Sequence, residues 1–152
     1  MTRPQRGYMR IVIQRVSRAK VTAEAKDIAE IGRGLLLLVG VGKDDSAQDI
    51  ERLAKKVINL RIFEDEQGKM NLNIKQVTGE ILSIPQFTLY ADIQKGNRPG
   101  FDLAAEPKMA KEFWEKFNTI LKNNGIGVKE GAFGAHMAVE LVNDGPVTII
   151  LP

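Results

Sequence analysis

The arrangement of secondary structure is decided by the run Leu35-Leu36-Leu37-Leu38-Val39 and by the change of pattern that follows it. Five consecutive apolar residues between two glycines are typical of a strand that is buried on both faces. Upstream, residues 28–31 and the glycine-rich step at 32–34 predict a hairpin that leads into this strand. The apolar run is much shorter than the about 20 residues that a membrane-spanning helix needs.

Downstream of this run, apolar residues recur with a helical period in two segments. The first places them at i, i+3, i+4, i+7 and i+8, and Ser46 with Asp49 predicts a capping box at its start. The second begins at Pro107, a residue favoured in the first turn, and ends at Gly125. The apolar positions are Ile50, Leu53, Ala54, Val57 and Ile58 in the first helix and Ala110, Phe113, Trp114, Phe117, Ile120 and Leu121 in the second.

The remaining segments are predicted to be strands or loops from their β-branched, aromatic and turn-forming residues. The predicted strands cover residues 10–21, 60–63, 70–74, 80–90, 128–130, 137–143 and 147–151, with a loop at 91–105 and a last turn at Asp144-Gly145. This order of strands and helices predicts an α+β fold. We expect mainly antiparallel β-sheets, barrel-like or in a sandwich, with the two main α-helices packed on one side.

Composition restricts the chemistry of the protein. A chain of 152 residues with 43% hydrophobic and 27% charged residues is typical of one globular domain, which we assign to residues 9–152. Residues 1–8 lack the apolar stretch of a secretory signal and are expected to be a mobile N-terminal extension. The absence of cysteine and the single histidine, His136, exclude a thiolate site and a multi-histidine zinc site, so we expect neither metal nor cofactor. The net charge of +3 mildly favours anionic partners such as RNA, and a cytoplasmic location is compatible with the composition.

Two motifs that suggest anion or metal chemistry have a simpler structural interpretation. The run at 39–43 is similar to a phosphate-binding loop, but Leu37 stands where that motif needs its first glycine and Asp44 where it needs serine or threonine. The carboxylates Asp44 and Asp45, and those at 64–66, are expected to lie on surface turns.

The remaining side chains that could take part in catalysis or RNA binding give equally weak evidence of function. His136 precedes a strand without a neighbouring acid or nucleophile, which favours an exposed or structural histidine over a general base. The aromatic residues of the second helix have helical spacing, which favours a core position over a platform for stacked bases. Lys95 and Arg98, on a loop, suit phosphate contacts and simple solvation about equally well.

Two polar strings interrupt apolar strands, namely Pro85-Gln86-Phe87-Thr88-Leu89 and Asn143-Asp144-Gly145-Pro146-Val147-Thr148. Proline has no N–H for a sheet ladder, and an X–Pro bond becomes cis far more readily than other peptide bonds. On a continuous strand Gln86 and Thr88 would face the same side. Glycines around Phe133-Gly134-Ala135 allow backbone to approach a ligand there. These strings predict a site built largely from main chain.

The strings belong to a wider pattern that resembles the D-aminoacyl-tRNA deacylase family, from Met9 to the C-terminus. The matching motifs are Gln14-Arg15-Val16, Leu60-Arg61-Ile62-Phe63-Glu64-Asp65, Gly68-Lys69-Met70-Asn71, Gln86-Phe87-Thr88-Leu89-Tyr90, Gly96-Asn97-Arg98-Pro99, Gly131-Ala132-Phe133-Gly134-Ala135 and Asn143-Asp144-Gly145-Pro146-Val147-Thr148. The motifs occur in the order of the family, which makes an accidental match implausible.

The resemblance implies hydrolysis of the ester bond between a D-amino acid and the 3′ acceptor end of tRNA. It implies a homodimer with composite active sites, no cofactor and no membrane. It also implies that the Gly145-Pro146 bond is cis and reaches into the partner subunit's site, where its carbonyls leave no room for an L side chain. Arg15 occupies the position that orients this loop. Glycyl-tRNA would then be hydrolysed and L-aminoacyl-tRNA spared.

The resemblance and the strings together supply the candidate site residues. The catalytic segment is Gln86, Phe87 and Thr88, which we expect to act mainly through main chain and by positioning, with the terminal ribose 2′-hydroxyl of the substrate assisting. An aminoacyl ester is already activated, so placed water and backbone N–H donors can suffice. The candidate substrate-binding residues are Phe133, Gly134, Ala135 and Met137.

Two departures from the family pattern leave other functions open. Pro85 stands where the family usually has serine, and His136 where an acidic residue is commoner. If the missing hydroxyl or N–H at Pro85 binds substrate, activity is reduced; if the position only shapes the loop, little changes. The alternatives are a catalytically weakened tRNA- or RNA-binding module and a small-molecule esterase that uses His136 with Thr88 or Ser83.

Overall fold

The computed structural model describes residues 7–152. The mobile extension expected at residues 1–8 falls mainly on residues 1–6, which lie outside this range; Gly7 is buried, and its carbonyl accepts a hydrogen bond from the Asp44 N–H at 2.7 Å. The elements in chain order are β1 Arg10–Ala23, β2 Lys26–Ile31, β3 Gly34–Gly40, α1 Ala47–Asn59, β4 Phe63–Glu64, β5 Met70–Leu72, β6 Glu80–Pro85, a 3-10 helix Phe87–Tyr90, α2 Pro107–Asn123, β7 Gly127–Glu130 and β8 Met137–Leu151.

The main sheet is built around β1. One side of β1 pairs with β8, and the other side pairs with β3 in its first half and β2 in its second half, all antiparallel. The sheet continues from β3 through parallel pairings to β6 and β7, and β4 with β5 forms a separate two-stranded sheet. Lys129 of β7 donates a hydrogen bond to the Glu30 carbonyl of β2 at 2.7 Å, which draws the ends of the sheet together. The predicted α+β fold is confirmed, with two parallel pairings in its main sheet.

The strand β3 separates two apolar clusters, which explains its consecutive apolar residues. Leu35 and Leu37 belong to a cluster shared with both helices, whereas Leu36 belongs to a cluster inside the curved sheet. Both faces of β3 are therefore buried, as the sequence predicts. The two helices contribute to the same cluster and lie on one side of the sheet.

Both helices have the predicted ends. At the start of α1 the Ser46 side chain accepts a hydrogen bond from the Asp49 N–H, and the Asp49 side chain accepts one from the Ser46 N–H. Pro107 begins α2, and Gly125, with a φ of +85°, follows its last turn. Trp114 and Phe117 are buried, which confirms their predicted core position. Within the described residues, neither α1 nor α2 combines the length and apolar character that crossing a membrane requires.

The hairpin predicted at residues 28–39 is wrong. Both β2 and β3 pair with β1, with Ala19 opposite Ile31 and Val16 opposite Gly34, so the chain passes from β2 to β3 without reversing. The reversal occurs earlier, at residues 24–25, between β1 and β2. Gly34 is needed for a different reason, because a Cβ there would lie 1.8 Å from the Glu80 carbonyl oxygen of the neighbouring strand.

The strand predicted at residues 80–90 is also wrong in its second half. β6 ends at Pro85, the Gln86 N–H donates to the Val39 carbonyl at 2.8 Å, and the chain then turns into the 3-10 helix. Gln86 and Thr88 therefore do not share one face of a strand. The pairing with β3 ends at this bond, because β3 itself ends at Gly40, and Pro85 has no N–H with which to extend a ladder on its other side.

The turn predicted at Asp144-Gly145 is wrong as well. Residues 137–151 form one strand, and both of its halves pair with β1. The pairing jumps from Gln14–Thr148 to Val16–Asn143, so residues 144–147 face Arg15 alone. Because the strand does not reverse, residues 144–147 form a large irregular bulge, which we call the Gly-Pro bulge.

Candidate functional site

A cavity of about 700 Å³ lies where β6 gives way to the 3-10 helix, beside the first turn of α2. Its walls are mostly aromatic and apolar, and include Phe87, Phe101, Trp114 and Phe133. The rings of Trp114 and Phe133 are 6.0 Å apart between centroids, and those of Phe87 and Phe101 are 4.9 Å apart. Such a space suits a flat or apolar group with a few polar atoms at its edge.

Most of the predicted site residues meet at this cavity. Those that line it are Gln86, Phe87, Phe133, Gly134, Ala135 and Met137. Thr88, Arg15, Gly145 and Pro146 do not line it. The sequence therefore predicted two regions of the molecule that are separate within one chain.

The Thr88 hydroxyl has an amide, not a base, as its side-chain partner. It accepts a hydrogen bond from the Gln86 side chain. His136 is exposed and lines the cavity, so the predicted exposure is confirmed. Ser83 is fully buried and accepts a hydrogen bond from Trp114 Nε1 at 2.9 Å. That contact gives Ser83 a structural role and removes it from the esterase alternative.

The 3-10 helix is held against β3 by buried contacts. The ring of Tyr90 is 1% exposed, and its hydroxyl lies 3.1 Å from the Gly40 carbonyl and also contacts the Tyr8 carbonyl. Arg10 Nη1 donates to the Leu89 carbonyl at 2.8 Å while its guanidinium lies 4.6 Å from the Tyr90 ring centre. A Cβ on Gly40 would lie 2.8 Å from the Tyr90 ring, so glycine is required for this close packing.

Asp45 is a buried carboxylate whose charge acts on Tyr90, and its predicted surface position is wrong. The residue is 8% exposed, and its two carboxylate oxygens accept hydrogen bonds from the N–H groups of Met9 and Gly42, each at 2.8 Å. Burial raises the pKa of Asp45 to about 6, although the two N–H donors act in the opposite direction. Burial, with the charge of Asp45, also raises the pKa of Tyr90. Sequence reasoning missed Asp45 because a carboxylate beside a turn is usually solvated.

The Gly-Pro bulge is built on Arg15. The bond between Gly145 and Pro146 is cis. Arg15, 5% exposed, donates from Nε to the Asp144 carbonyl and from Nη1 to the Ile62 carbonyl, both at 2.8 Å. Gly145 has a φ of +146°, and a Cβ there would lie 2.7 Å from a methyl of Val147. Only glycine fits this position without displacing its neighbours.

Among residues 7–152, no three histidine, cysteine or carboxylate side chains are grouped so that they could hold a metal ion. The polar groups that line the cavity, Gln86, Glu106 and His136, are few. The arrangement is therefore suited to binding and orienting a substrate rather than to attack by a side-chain nucleophile, which needs an adjacent base.

Comparison with known proteins gives consistent matches over nearly the whole chain. A family model described as D-Tyr-tRNA(Tyr) deacylase matches residues 12–152. A D-aminoacyl-tRNA deacylase of Staphylococcus haemolyticus (strain JCSC1435) is 58% identical over 142 residues, which are 93% of this chain and 94% of the relative. A second, of Thermosipho africanus (strain TCF52B), is 55% identical over 143 residues, 94% of this chain and 96% of the relative.

The fold is matched by a solved structure too. That of the c-Myc DNA Unwinding Element Binding Protein has a TM-score of 0.89 and 41% sequence identity, and covers 94% of this chain and 97% of that one. Both the cavity and the Gly-Pro bulge lie inside the matched family region.

Proposed function

Because this chain belongs to the D-aminoacyl-tRNA deacylase family, we propose that it hydrolyses the ester bond between a D-amino acid and the 3′ end of tRNA. The enzyme class is that of its relatives, a hydrolase acting on aminoacyl-tRNA. The products are free tRNA and the free amino acid. The observation that carries the proposal is identity of 58% to a named deacylase over 93% of the chain.

The cavity is the proposed site for the acceptor end. Its volume and aromatic walls suit a terminal nucleoside with its aminoacyl group. Gln86, Phe87 and Thr88 position the ester and the attacking water mainly through main chain. The substrate-binding residues are Phe133, Gly134, Ala135 and Met137. In other hydrolases a single oxyanion donor is worth about 2.7–4 kcal/mol, so backbone N–H groups can account for much of the rate.

Selection of the D form is assigned to the Gly-Pro bulge of a partner subunit in a homodimer. Gly145 and Pro146 are exposed and do not line the cavity of their own chain. A two-fold dimer would place each bulge at the other subunit's cavity and so create two composite sites from one interface. The carbonyls of the bulge then exclude an L side chain, while glycine, which has no side chain, is accepted. Arg15 keeps the bulge in this orientation.

The remaining parts of the proposal concern the setting of the reaction. The net charge of +3 favours approach of the anionic tRNA. The ribose 2′-hydroxyl of the terminal nucleotide assists the water. Since the substrate is formed during translation, the enzyme acts in the cytoplasm.

Four substrates test this function, namely D-tyrosyl-tRNA, L-tyrosyl-tRNA, glycyl-tRNA and free D-tyrosine methyl ester. We expect hydrolysis of the first and third, with the L form spared. Comparable rates on D- and L-tyrosyl-tRNA would contradict steric selection. Binding without turnover would indicate an RNA-binding module, and hydrolysis of the free ester alone would indicate a small-molecule esterase.

A further inference from the structure

The side chain of Asn143 closes the Gly-Pro bulge at its C-terminal end. Its Oδ1 accepts a hydrogen bond from the Val147 N–H at 2.7 Å. Its Nδ2 donates to the Val147 carbonyl and to the Thr148 hydroxyl, both at 3.2 Å. One primary amide therefore satisfies both main-chain groups of Val147, as a neighbouring strand would do.

The Asn143 side chain takes the place of a neighbouring strand because the pairing of β8 with β1 is interrupted at this point. The ladder to β1 is interrupted between Thr148 and Asn143, and Pro146 has no N–H to contribute. Val147 is buried at 7% exposure, and an unsatisfied polar backbone group in such a position is costly. An amide side chain supplies one acceptor and two donors, which is the set that this gap needs.

Asn143 and Arg15 hold opposite ends of the bulge. Arg15 donates to the Asp144 carbonyl, before the glycine, and Asn143 binds Val147, after the proline. The two residues between these anchors are Gly145 and Pro146. A segment fixed at both ends has little freedom to retreat when a substrate side chain presses on it.

We propose that Asn143 is a positioning residue for the selection of the amino acid's hand, and that its amide keeps the carbonyls of Gly145 and Pro146 where they exclude an L side chain. This inference rests on the proposed function. It adds a second anchor to the one at Arg15. A loosened bulge should admit L substrates, so the signature is a gained activity rather than a lost one.

Two variants separate the contributions of the amide. Asn143→Asp keeps the acceptor for the Val147 N–H but loses both donors, whereas Asn143→Ala loses all three hydrogen bonds. The matched control is Asn123→Asp, which makes the same chemical change on an exposed residue at the end of α2. For each protein, kcat and KM are measured with D- and L-tyrosyl-tRNA, and thermal unfolding is recorded.

For Asn143→Asp we expect the D/L ratio of kcat/KM to fall about tenfold, which corresponds to about 1.4 kcal/mol. The fall should come from faster hydrolysis of the L substrate, be larger in Asn143→Ala, and be absent in Asn123→Asp. An unchanged ratio, or a parallel loss on both substrates, would overturn the inference, since a merely structural role lowers both rates. If Asn143→Ala does not fold, Asn143→Asp decides alone. A wild type without D preference would refute the proposed function itself.

Discussion

The 3-10 helix at the cavity and the Gly-Pro bulge are both irregular backbone, but they are stabilised in different ways. The first is packed against β3 by the buried Tyr90 and by the backbone bond from Gln86 to Val39. The second projects from β8 with Asp144, Gly145 and Pro146 exposed, and it is held by side-chain hydrogen bonds from Arg15 and Asn143. Packing contacts in the core cannot be removed without destabilising the whole protein. A side-chain hydrogen bond, by contrast, can be removed by a single substitution. Rate and selectivity should therefore be separable by mutation.

The largest effect is expected at Asp45, whose charge acts on Tyr90 of the 3-10 helix, in the pH dependence of stability. Its pKa is raised from the ordinary 3.8 to about 6, mainly by burial, with Asp49 raising it and Arg52 lowering it slightly. Between pH 3.8 and about pH 6, Asp45 is mostly protonated in the folded protein and mostly ionised in the unfolded chain. The stabilisation is therefore complete below pH 3.8 and is lost as the pH rises through about 6. About two pH units at about 1.4 kcal/mol each give about 3 kcal/mol.

The measurement is denaturant unfolding of the wild type and Asp45→Asn between pH 4 and pH 7. The difference in the free energy of unfolding between the two proteins should change by up to about 3 kcal/mol in favour of the variant as the pH rises. At pH 4 the variant should be the less stable, because its Nδ2 faces an N–H donor and cannot accept from it. A pH-independent difference would contradict the assignment to Asp45.

The next largest effect is expected in the bulge, from Gly145→Ala. A Cβ would lie 2.9 Å from the Val147 N and 3.2 Å from Arg15 Nη2, on a residue whose φ is +146°. Such backbone strain costs about 1–3 kcal/mol, so the D/L ratio of kcat/KM should fall about tenfold to hundredfold. Gly32→Ala, where a Cβ meets nothing within 4 Å, serves as control. If the D/L ratio of kcat/KM equals that of the wild type, the bulge does not determine selectivity.

A smaller effect is expected from Tyr90→Phe, which removes the buried hydroxyl of the last residue of the 3-10 helix. Loss of a buried hydrogen bond should lower stability by about 1 kcal/mol. The kcat values for D- and L-tyrosyl-tRNA should fall together, since the change disturbs the proposed catalytic segment and leaves the bulge intact. Tyr8→Phe removes a hydroxyl from an exposed ring and should have no effect. A change of the D/L ratio in Tyr90→Phe would mean that the two regions are coupled.

The smallest effects are expected at Thr88 and His136. Thr88→Ala and His136→Ala should each retain much of the wild-type rate, because among residues 7–152 neither side chain has the partner that a nucleophile or a general base requires. Loss of a true catalytic nucleophile costs several orders of magnitude in kcat. A loss of that size in either folded variant would show that a side chain, not the main chain, carries the reaction.

The sequence by itself determined the local elements and the family. The apolar run of β3, the helical periods and the capping box of α1 depend on neighbours within a few residues, and all three predictions are confirmed. The family followed from motifs spread along the chain, and the comparisons confirm it. Six of the residues predicted for the site line the cavity, because glycine-rich and polar strings interrupt an apolar pattern visibly. Their roles in binding and catalysis stay predictions.

Only the tertiary structure decided which strands pair and where buried polar groups find their partners. The hairpin at 28–39 and the turn at 144–145 were wrong because a glycine or proline marks irregular backbone but does not say whether the chain reverses or bulges. The structural roles of Asp45 and Asn143 were missed because they depend on hydrogen bonds. Asp45 binds a residue distant in the chain, and Asn143 binds across the bulge. Pairing across a sheet joins residues that are distant in the chain, and no local pattern records the partner.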